Sequence, residues 1–233
     1  MSLVAIMKKL LLSFLAVLFA AHLHAEGSAP SRAELITRVE TCEAILEDFM
    51  RRPETAIHPE VLKRARALVI LNQFKAGFVL GIKDGYGVIL AKKPNGQWSV
   101  PVVLSAGEAS LGLQLGAKSD TTILVITDDT TPRLLFKQRF NIGVDAKAVA
   151  GPRAAEKEKV NHALIDAPVQ VYSKSKGFYA GATVKTGFIA RNDAANRELY
   201  NTQYTMPELL YSDWVTPIPE VKPLMNMVQR IAP

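Results

Sequence analysis

Side chains that commonly carry catalysis are sparse in this sequence, and they do not form a recognisable catalytic set. Neither His58 nor His162 has other metal ligands at the spacing of a zinc site. Ser110 lies nearest to a nucleophile-elbow pattern, but the flanking glycines have the wrong spacing. Cys42 falls on the apolar stripe of a predicted helix, where a buried thiol is typical and no local histidine would activate it. The sequence therefore predicts a protein that is not an enzyme and that holds no metal or cofactor.

Two further motifs imitate ligand sites. Residues 112–119 (GLQLGAKS) resemble a phosphate-binding loop, but Ala117 replaces the second glycine, and strands flank the motif where a helix should follow. Asp128 and Asp129 are adjacent, so in a strand they would point to opposite faces, and a solvated turn is the favoured interpretation. Nucleic-acid binding is also disfavoured, because a net charge of +6 is modest and no base-stacking motif accompanies it.

The N-terminal segment has the pattern of a secretion signal. Lys8 and Lys9 precede an apolar run at residues 10–21, which is too short to span a bilayer. Leu23-His24-Ala25 then offers a cleavage site before Glu26. We therefore expect residues 1–25 to be a signal peptide and residues 26–233 to be a single exported domain, periplasmic or secreted.

Helices are predicted near both ends of this domain. Ser31 with Glu34 forms a capping box, and the apolar residues of the following helix recur at helical spacing: Leu35, Val39, Cys42, Leu46 and Phe49. A second helix is predicted from Pro59 to Leu68. Towards the C-terminus, Asn192 or Asp193 can cap a helix through Tyr200, and further helices are predicted at residues 207–211 and 224–231.

The middle of the chain predicts a β-sheet. Asp84-Gly85 between residues 76–82 and 86–92 is a typical hairpin signal, and Pro94-Asn95-Gly96 indicates a second turn. Further strands are predicted at residues 98–104, 111–117, 121–127, 169–173 and 178–189, and a short helix at 132–140. Glycines within several strands favour sharp coiling of the sheet, or alternatively a cleft for an apolar ligand. The fold class is α+β: a strongly curved, barrel-like antiparallel sheet with helices at both ends.

In the order and spacing of its motifs, the chain resembles the SYLF domain family from Val61 to the C-terminus. The matching segments are ARALVI at residues 65–70, KAGFVLG at 75–81, GQWSVP at 96–101, GLQLGA at 112–117, Gly151-Pro152, SKGFYAG at 175–181, and Asn196 before Tyr200. The resemblance implies a lipid-binding domain without enzymatic activity. Eukaryotic members accompany modules acting at membranes and actin, whereas bacterial members commonly stand alone behind a secretion signal.

The implied partner is therefore an anionic phospholipid membrane, met peripherally. The first predicted helix departs from the basic helix of some relatives, because from Glu34 to Met50 it has one basic residue, Arg38, and five acidic ones: Glu34, Glu40, Glu43, Glu47 and Asp48. Basic residues elsewhere must make the contact. The expected lipid-binding residues are Arg64, Arg66, Lys92, Lys93, Lys174 and Lys176, with Arg51-Arg52 as a further basic pair.

Two alternative functions remain open from the sequence. The chain could carry one lipid or apolar molecule inside a curved-sheet cavity. It could instead be a scaffold for an envelope protein partner, with the aromatic residues Tyr200, Tyr204, Tyr211 and Trp214 as a contact surface rather than a core clasp. An intermolecular disulfide through Cys42 is a further alternative in an oxidising compartment.

Overall fold

The computed structural model describes residues 29–76, 80–111, 118–136, 139–141, 148–156, 165–175 and 187–233. Residues Ser31–Pro233 form one compact unit. The predicted signal peptide, the phosphate-loop imitation at residues 112–117, His162 and Lys176 lie outside the described residues. None of the helices within the described ranges combines the length and apolarity that a bilayer crossing requires.

The described helices lie before and after the strands, with one short helix between them. They are α1 (Arg32–Met50), α2 (Pro59–Lys63), α3 (Thr131–Leu134), α4 (Asp193–Tyr200), α5 (Met206–Tyr211) and α6 (Lys222–Ile231), with a 3₁₀ turn at Pro219–Val221. The capping box at the start of α1 is confirmed, because the Glu34 N–H donates to Ser31 Oγ and the Ser31 N–H donates to Glu34 Oε2. Asn192 caps α4, as one of the two predicted candidates.

Within the described ranges, eight strands form one strongly curled sheet. They are β1 (Ala67–Ala76), β2 (Leu80–Ala91), β3 (Val102–Leu111), β4 (Lys118–Ile126), β5 (Phe140–Asn141), β6 (Ala148–Ala150), β7 (Val169–Ser175) and β8 (Phe188–Arg191). Their order is β5-β8-β3-β2-β1-β4-β7-β6. All described pairs are antiparallel except β6 with β7, so the sheet is mixed at one edge. The predicted α+β class, with a curved sheet and helices at both ends, is confirmed.

Residues 67–71 of β1 are buried on both faces of the sheet, which their unbroken run of apolar side chains explains. Leu68 and Ile70 pack in a core with α1, α4 and α6, whereas Val69 and Leu71 pack in a second core with α5. All four side chains are fully buried, and each contributes roughly 1.5–3 kcal/mol by leaving water. This part of the sheet is filled by protein, so it offers no support for a lipid cavity there.

The predicted hairpin turn at Asp84-Gly85 is wrong. Strand β2 runs straight through both residues, and Gly85 is paired with Gln73 of β1. A Cβ at Gly85 would lie 2.5 Å from the Asn72 carbonyl oxygen. Gly85 therefore does not form a turn; its missing side chain lets the backbones of two coiled strands approach closely. The connection between β1 and β2 falls at residues 77–79, outside the described residues.

Other boundaries also move. Helix α2 ends at Lys63 instead of Leu68, because the chain joins the sheet at Ala67. The residue before this strand is already bonded to the sheet, since the Arg66 N–H donates to the Ile126 carbonyl oxygen at 2.7 Å. The predicted strand at 98–104 begins only at Val102. The predicted helix at 132–140 is the four-residue α3. The turn around Gly96 is confirmed, with a left-handed φ of 82° that favours glycine.

Candidate functional site

The strand pairing brings two of the predicted basic clusters together. Antiparallel β1 and β2 place Ala67 opposite Ala91, so the residue before β1 meets the residue after β2. There the Lys92 N–H donates to the Arg66 carbonyl oxygen at 2.7 Å. We call the surface formed at this end of the sheet the basic face, defined by Lys63, Arg64, Arg66, Lys92, Lys93 and Arg133.

Two depressions open on the basic face, and Arg66 lines both. The first has a volume of about 330 Å³ and is lined by Arg66, Lys92, Lys93, Pro94, Gly96, Asp129, Arg133 and Tyr211. The second has about 460 Å³ and is lined by Lys63, Arg64, Arg66, Thr127, Asp128, Ile165, Asp166 and Pro168. Four cationic side chains and one carboxylate line the first, whereas three cations and two carboxylates line the second. The first depression is therefore the more electropositive.

Ion pairs neutralise part of the basic face. Arg64 pairs with Asp166, and Lys63 Nζ lies 2.6 Å from Glu60 Oε1. Arg66 Nε is 3.7 Å from Asp129 Oδ1, which is a loose and exposed pair. The positive charge left for a ligand is thus concentrated at the first depression.

Lys92 of this depression is held by two neighbours. Its Nζ lies 5.6 Å from the ring centroid of Trp98 and donates a hydrogen bond to the backbone oxygen of Pro233. Partial burial, together with the nearby Arg66 charge, lowers the pKa of Lys92 from its usual value. An anionic group bound beside Lys92 would favour the charged form of the lysine and so raise its pKa again.

Arg133 belongs to the site but was missed in the sequence. It lies on α3, whose start is held by Asp128: the carboxylate accepts hydrogen bonds from the backbone N–H groups of Thr130 and Thr131 at 2.8 and 2.7 Å. The Asp128 turn is the solvated turn predicted from the sequence. A lone arginine in a predicted helix has no spacing signal that would have drawn attention to it.

Lys93 also lines the first depression, and its ammonium group is paired with the segment after α5. Its Nζ donates to the Ser212 carbonyl oxygen at 2.7 Å and lies 3.7 Å from Asp213 Oδ1. The Lys93 side chain is only 9% exposed. Its charge therefore helps to fix the segment that follows α5.

Lys174 lies apart from the basic face. Its Nζ pairs with Asp48 of α1, and this interaction holds the pKa of the Asp48 carboxyl below its usual value. Along β7, Lys174 is six residues beyond Pro168 of the second depression, a distance of about 20 Å at 3.3 Å per residue. Of the six predicted lipid-binding residues, four share the basic face, Lys174 does not, and Lys176 lies outside the described residues.

The residues first considered for catalysis have structural surroundings. His58 Nδ1 accepts from the Glu60 N–H at 3.2 Å as the N-cap of α2. Cys42 is fully buried, and burial raises the pKa of its thiol to about 12. Within the described ranges, no three His, Cys, Asp or Glu side chains are grouped closely enough to hold a metal ion.

The C-terminal aromatic residues divide between core and surface. Tyr200 donates its hydroxyl to the Pro101 carbonyl oxygen, and Tyr211 is half-buried against Phe136. Tyr204 and Trp214 are exposed, by 39% and 64%. The core-clasp interpretation therefore holds for two of the four residues.

Comparisons with known proteins place this arrangement in a family. The family model described as "Ysc84: Las17-binding protein actin regulator" matches residues 107–231. "LAS seventeen-binding protein 3" of Saccharomyces cerevisiae is 33% identical over 179 residues, covering 76% of this chain and 39% of the relative. "SH3 domain-containing YSC84-like protein 1" of Bos taurus is 25% identical over 194 residues, covering 81% of this chain and 57% of the relative.

The chain thus spans less than two thirds of the length of each of these relatives. Their names describe binding and domain content, not a reaction. "Protein YSC84" of Saccharomyces cerevisiae adds a third match, 30% identical over 179 residues and covering 76% of this chain and 38% of the relative. The resemblance seen in the sequence motifs is confirmed, and the chain belongs to the Ysc84 family of SYLF domain proteins.

Proposed function

We propose that this chain is a non-catalytic protein that attaches peripherally to anionic phospholipid surfaces through its basic face. The observation that carries the proposal is the first depression, where cationic side chains from three separate chain segments gather around one carboxylate. Arg66 comes from before β1, Lys92 and Lys93 from after β2, and Arg133 from α3. A binding surface needs cationic side chains from distant sequence positions to lie close together, whereas basic residues that are only solvated can be scattered over the surface.

The charge is sufficient for useful attachment. Each lysine or arginine near an anionic membrane surface contributes about 1 kcal/mol. Arg66 is paired with Asp129 and Lys93 with Asp213, so the two remaining cations, Lys92 and Arg133, would contribute about 2 kcal/mol. That corresponds to a gain of about thirtyfold in affinity. Exposed charges are screened by salt within about 10 Å at 0.1 M, so attachment should weaken strongly as salt rises.

The proposed location is outside the cytoplasm. The basic flank and short apolar run of residues 1–25 support export to the periplasm or beyond, where the chain would meet a membrane surface as a peripheral protein. Mass spectrometry of the protein purified from a bacterial host that secretes it would show whether residues 1–25 have been removed. A purified protein that retains residues 1–25 would contradict this location.

Vesicle flotation tests the attachment. Phosphatidylcholine vesicles with 30% phosphatidylglycerol should carry the protein upward in 50 mM NaCl, and recovery should fall in 500 mM NaCl. The double variant Arg66→Gln/Arg133→Gln removes two charges of the basic face and should weaken binding at least tenfold. The matched control, Arg51→Gln/Arg52→Gln, removes two charges near Asp48 and Lys174, and it should stay within about threefold of the parent protein.

Some outcomes of this experiment would overturn the proposal. Equal recovery with and without vesicles would do so, as would binding that is indifferent to salt. If the control variant lost as much binding as the basic-face variant, attachment would depend on total charge and the basic face would not be the site.

A second candidate function is the binding of a protein partner in the cell envelope. The name of one relative and the description of the family model support it, since the relative is described as binding LAS seventeen and the family model as an actin regulator. In this chain the exposed Trp214 and Tyr204 would be the contacts. Crosslinking in intact cells, followed by loss of the crosslinked species in Trp214→Ala without any loss of vesicle flotation, would favour this function over the first.

A further inference from the structure

Trp214 is the most exposed of the large apolar side chains in the described part of the chain. It is 64% exposed, although Val215 beside it is only 8% exposed. Burying this indole ring against an apolar environment would be favourable, because a large apolar side chain gains free energy when it leaves water. The exposed ring of Trp214 is therefore available for contact with a binding partner.

The backbone that carries Trp214 is fixed to the edge of the basic face. Lys93 Nζ donates to the Ser212 carbonyl oxygen at 2.7 Å, and Asn95 Nδ2 donates to Asp213 Oδ1 at 3.0 Å. The turn that supplies both donors is itself closed by the Lys93 N–H, which donates to the Gln97 carbonyl oxygen at 2.8 Å. Trp214 is thus presented on a segment held at two successive residues.

This segment borders the electropositive depression. Lys93, Pro94 and Gly96 of the turn line that depression, as does Tyr211, three residues before Trp214. The neighbourhood therefore combines an exposed indole with clustered cations. Indole rings favour the boundary between headgroups and acyl chains, and lysine and arginine favour the headgroup phosphates, so the combination matches the cross-section of an anionic bilayer surface.

We infer that Trp214 is an interfacial anchor, entering the headgroup boundary of an anionic bilayer while Arg66, Lys92 and Arg133 contact the phosphates. This inference rests on the proposed function and deepens it by naming the depth and the residue of contact. It divides the attachment into a salt-sensitive part from the cations and a salt-insensitive part from the indole.

Tryptophan fluorescence tests the inference, because the chain has two tryptophans in different surroundings. Trp98 is 3% exposed and its Nε1 donates to the Ala232 carbonyl oxygen at 2.8 Å. Subtracting the spectrum of Trp214→Phe from that of the parent protein isolates Trp214. Without lipid, this difference spectrum should be red-shifted and quenched by iodide.

Vesicles of phosphatidylcholine with 30% phosphatidylglycerol should shift the Trp214 emission to the blue and protect it from iodide. Phosphatidylcholine brominated on its acyl chains should quench it. Trp214→Ala should weaken vesicle binding about tenfold at high salt, where the cationic contribution is small. The matched control is Phe74→Ala, which removes another exposed aromatic, about 25 Å from the basic face along β1; its binding should be unchanged.

The outcomes separate this inference from the function on which it rests. If the protein floats with anionic vesicles but Trp214 stays accessible to iodide, the anchor is overturned and surface attachment stands. If the protein does not float at all, both are overturned. Equal losses of binding in Trp214→Ala and Phe74→Ala would also contradict a specific anchor.

Discussion

Asn196 of α4 binds both backbone polar groups of Val103 in β3. Its Oδ1 accepts from the Val103 N–H at 2.7 Å, and its Nδ2 donates to the Val103 carbonyl oxygen at 2.9 Å. Val103 pairs with Val88 on one side, whereas the pairing of β3 with β8 starts only at Leu104. The amide therefore replaces the neighbouring strand that Val103 lacks, which explains why a polar side chain only 2% exposed is stable there.

Asn196→Ala should lower the free energy of unfolding by about 3 kcal/mol, because two buried backbone groups lose their partner at once. Urea denaturation followed by circular dichroism is the measurement. Glu198→Ala changes an exposed residue of the same helix and should stay within about 0.5 kcal/mol of the parent protein. A loss of similar size in both variants would mean that the effect comes from α4 itself and not from the contact with Val103.

Gly151→Ala should be strongly destabilising. A Cβ at this position would lie 2.1 Å from Cζ of Tyr172, a side chain that is 2% exposed and whose hydroxyl donates to the Pro152 carbonyl oxygen at 3.1 Å. The ring cannot move away cheaply, so we expect a loss of about 2–3 kcal/mol in thermal or urea unfolding. In a Tyr172→Ala background the same methyl group should cost little, and additive losses in the double variant would refute the steric cause.

Cys42 should be inert in the folded protein. It is fully buried, and its raised pKa keeps it a neutral thiol at physiological pH. A disulfide reagent such as dithionitrobenzoate should label it only after denaturation, and non-reducing electrophoresis should show no dimer. Cys42→Ala/Ala44→Cys places the thiol at an exposed position of the same helix and should react within seconds. Rapid labelling of the native parent protein would contradict its burial.

Stability should fall above about pH 9. Burial raises the pKa of Cys42 to about 12 and raises the pKa values of Tyr172 and Tyr200 from their usual range. Between the unfolded and folded pKa values, the native state keeps protons that the unfolded chain has released, so the free energy of unfolding decreases as pH rises. Below about pH 8 these groups should have no effect, because both states are protonated.

Urea titrations from pH 7 to pH 11 measure this decline. Tyr200→Phe lacks one of these protons, so its decline above pH 10 should be shallower by up to about 1.4 kcal/mol per pH unit. A parent protein whose stability is independent of pH up to 11 would show that these groups are solvated.

The helices near the two ends of the chain could be located because local signals dominate them, although the predicted extents of α2 and α3 were too long. The capping box of Ser31 and the apolar stripe through Phe49 mark α1 in the sequence as clearly as in the structure. The strands were harder to predict from the sequence, because glycine occurs both in turns and where paired strands approach closely. Only the register of β2 against β1 shows that Gly85 faces the Asn72 carbonyl oxygen and that no turn occurs there. Long-range pairing decides between the two roles.

For the basic face, too, the sequence shows which residues are basic but not which of them lie close together. Arg66 and Lys92 are visible as basic residues, but their proximity follows from the antiparallel register of β1 and β2. Lys174 had the same appearance in the sequence and instead pairs with Asp48, a contact between β7 and α1 that no local pattern encodes. Arg133 and Trp214 can be assigned to the site only from their neighbours in the folded structure.

The position of β1 and β2 has a practical consequence for dissecting the protein. The segment recognised by the family model begins at Gly107, within β3, so both of these central strands precede it. A fragment trimmed to residues 107–231 would leave β4 without its partner β1 and expose long unpaired edges, which are templates for aggregation. A truncated clone for expression should therefore begin no later than Ser31, ahead of the α1 capping box.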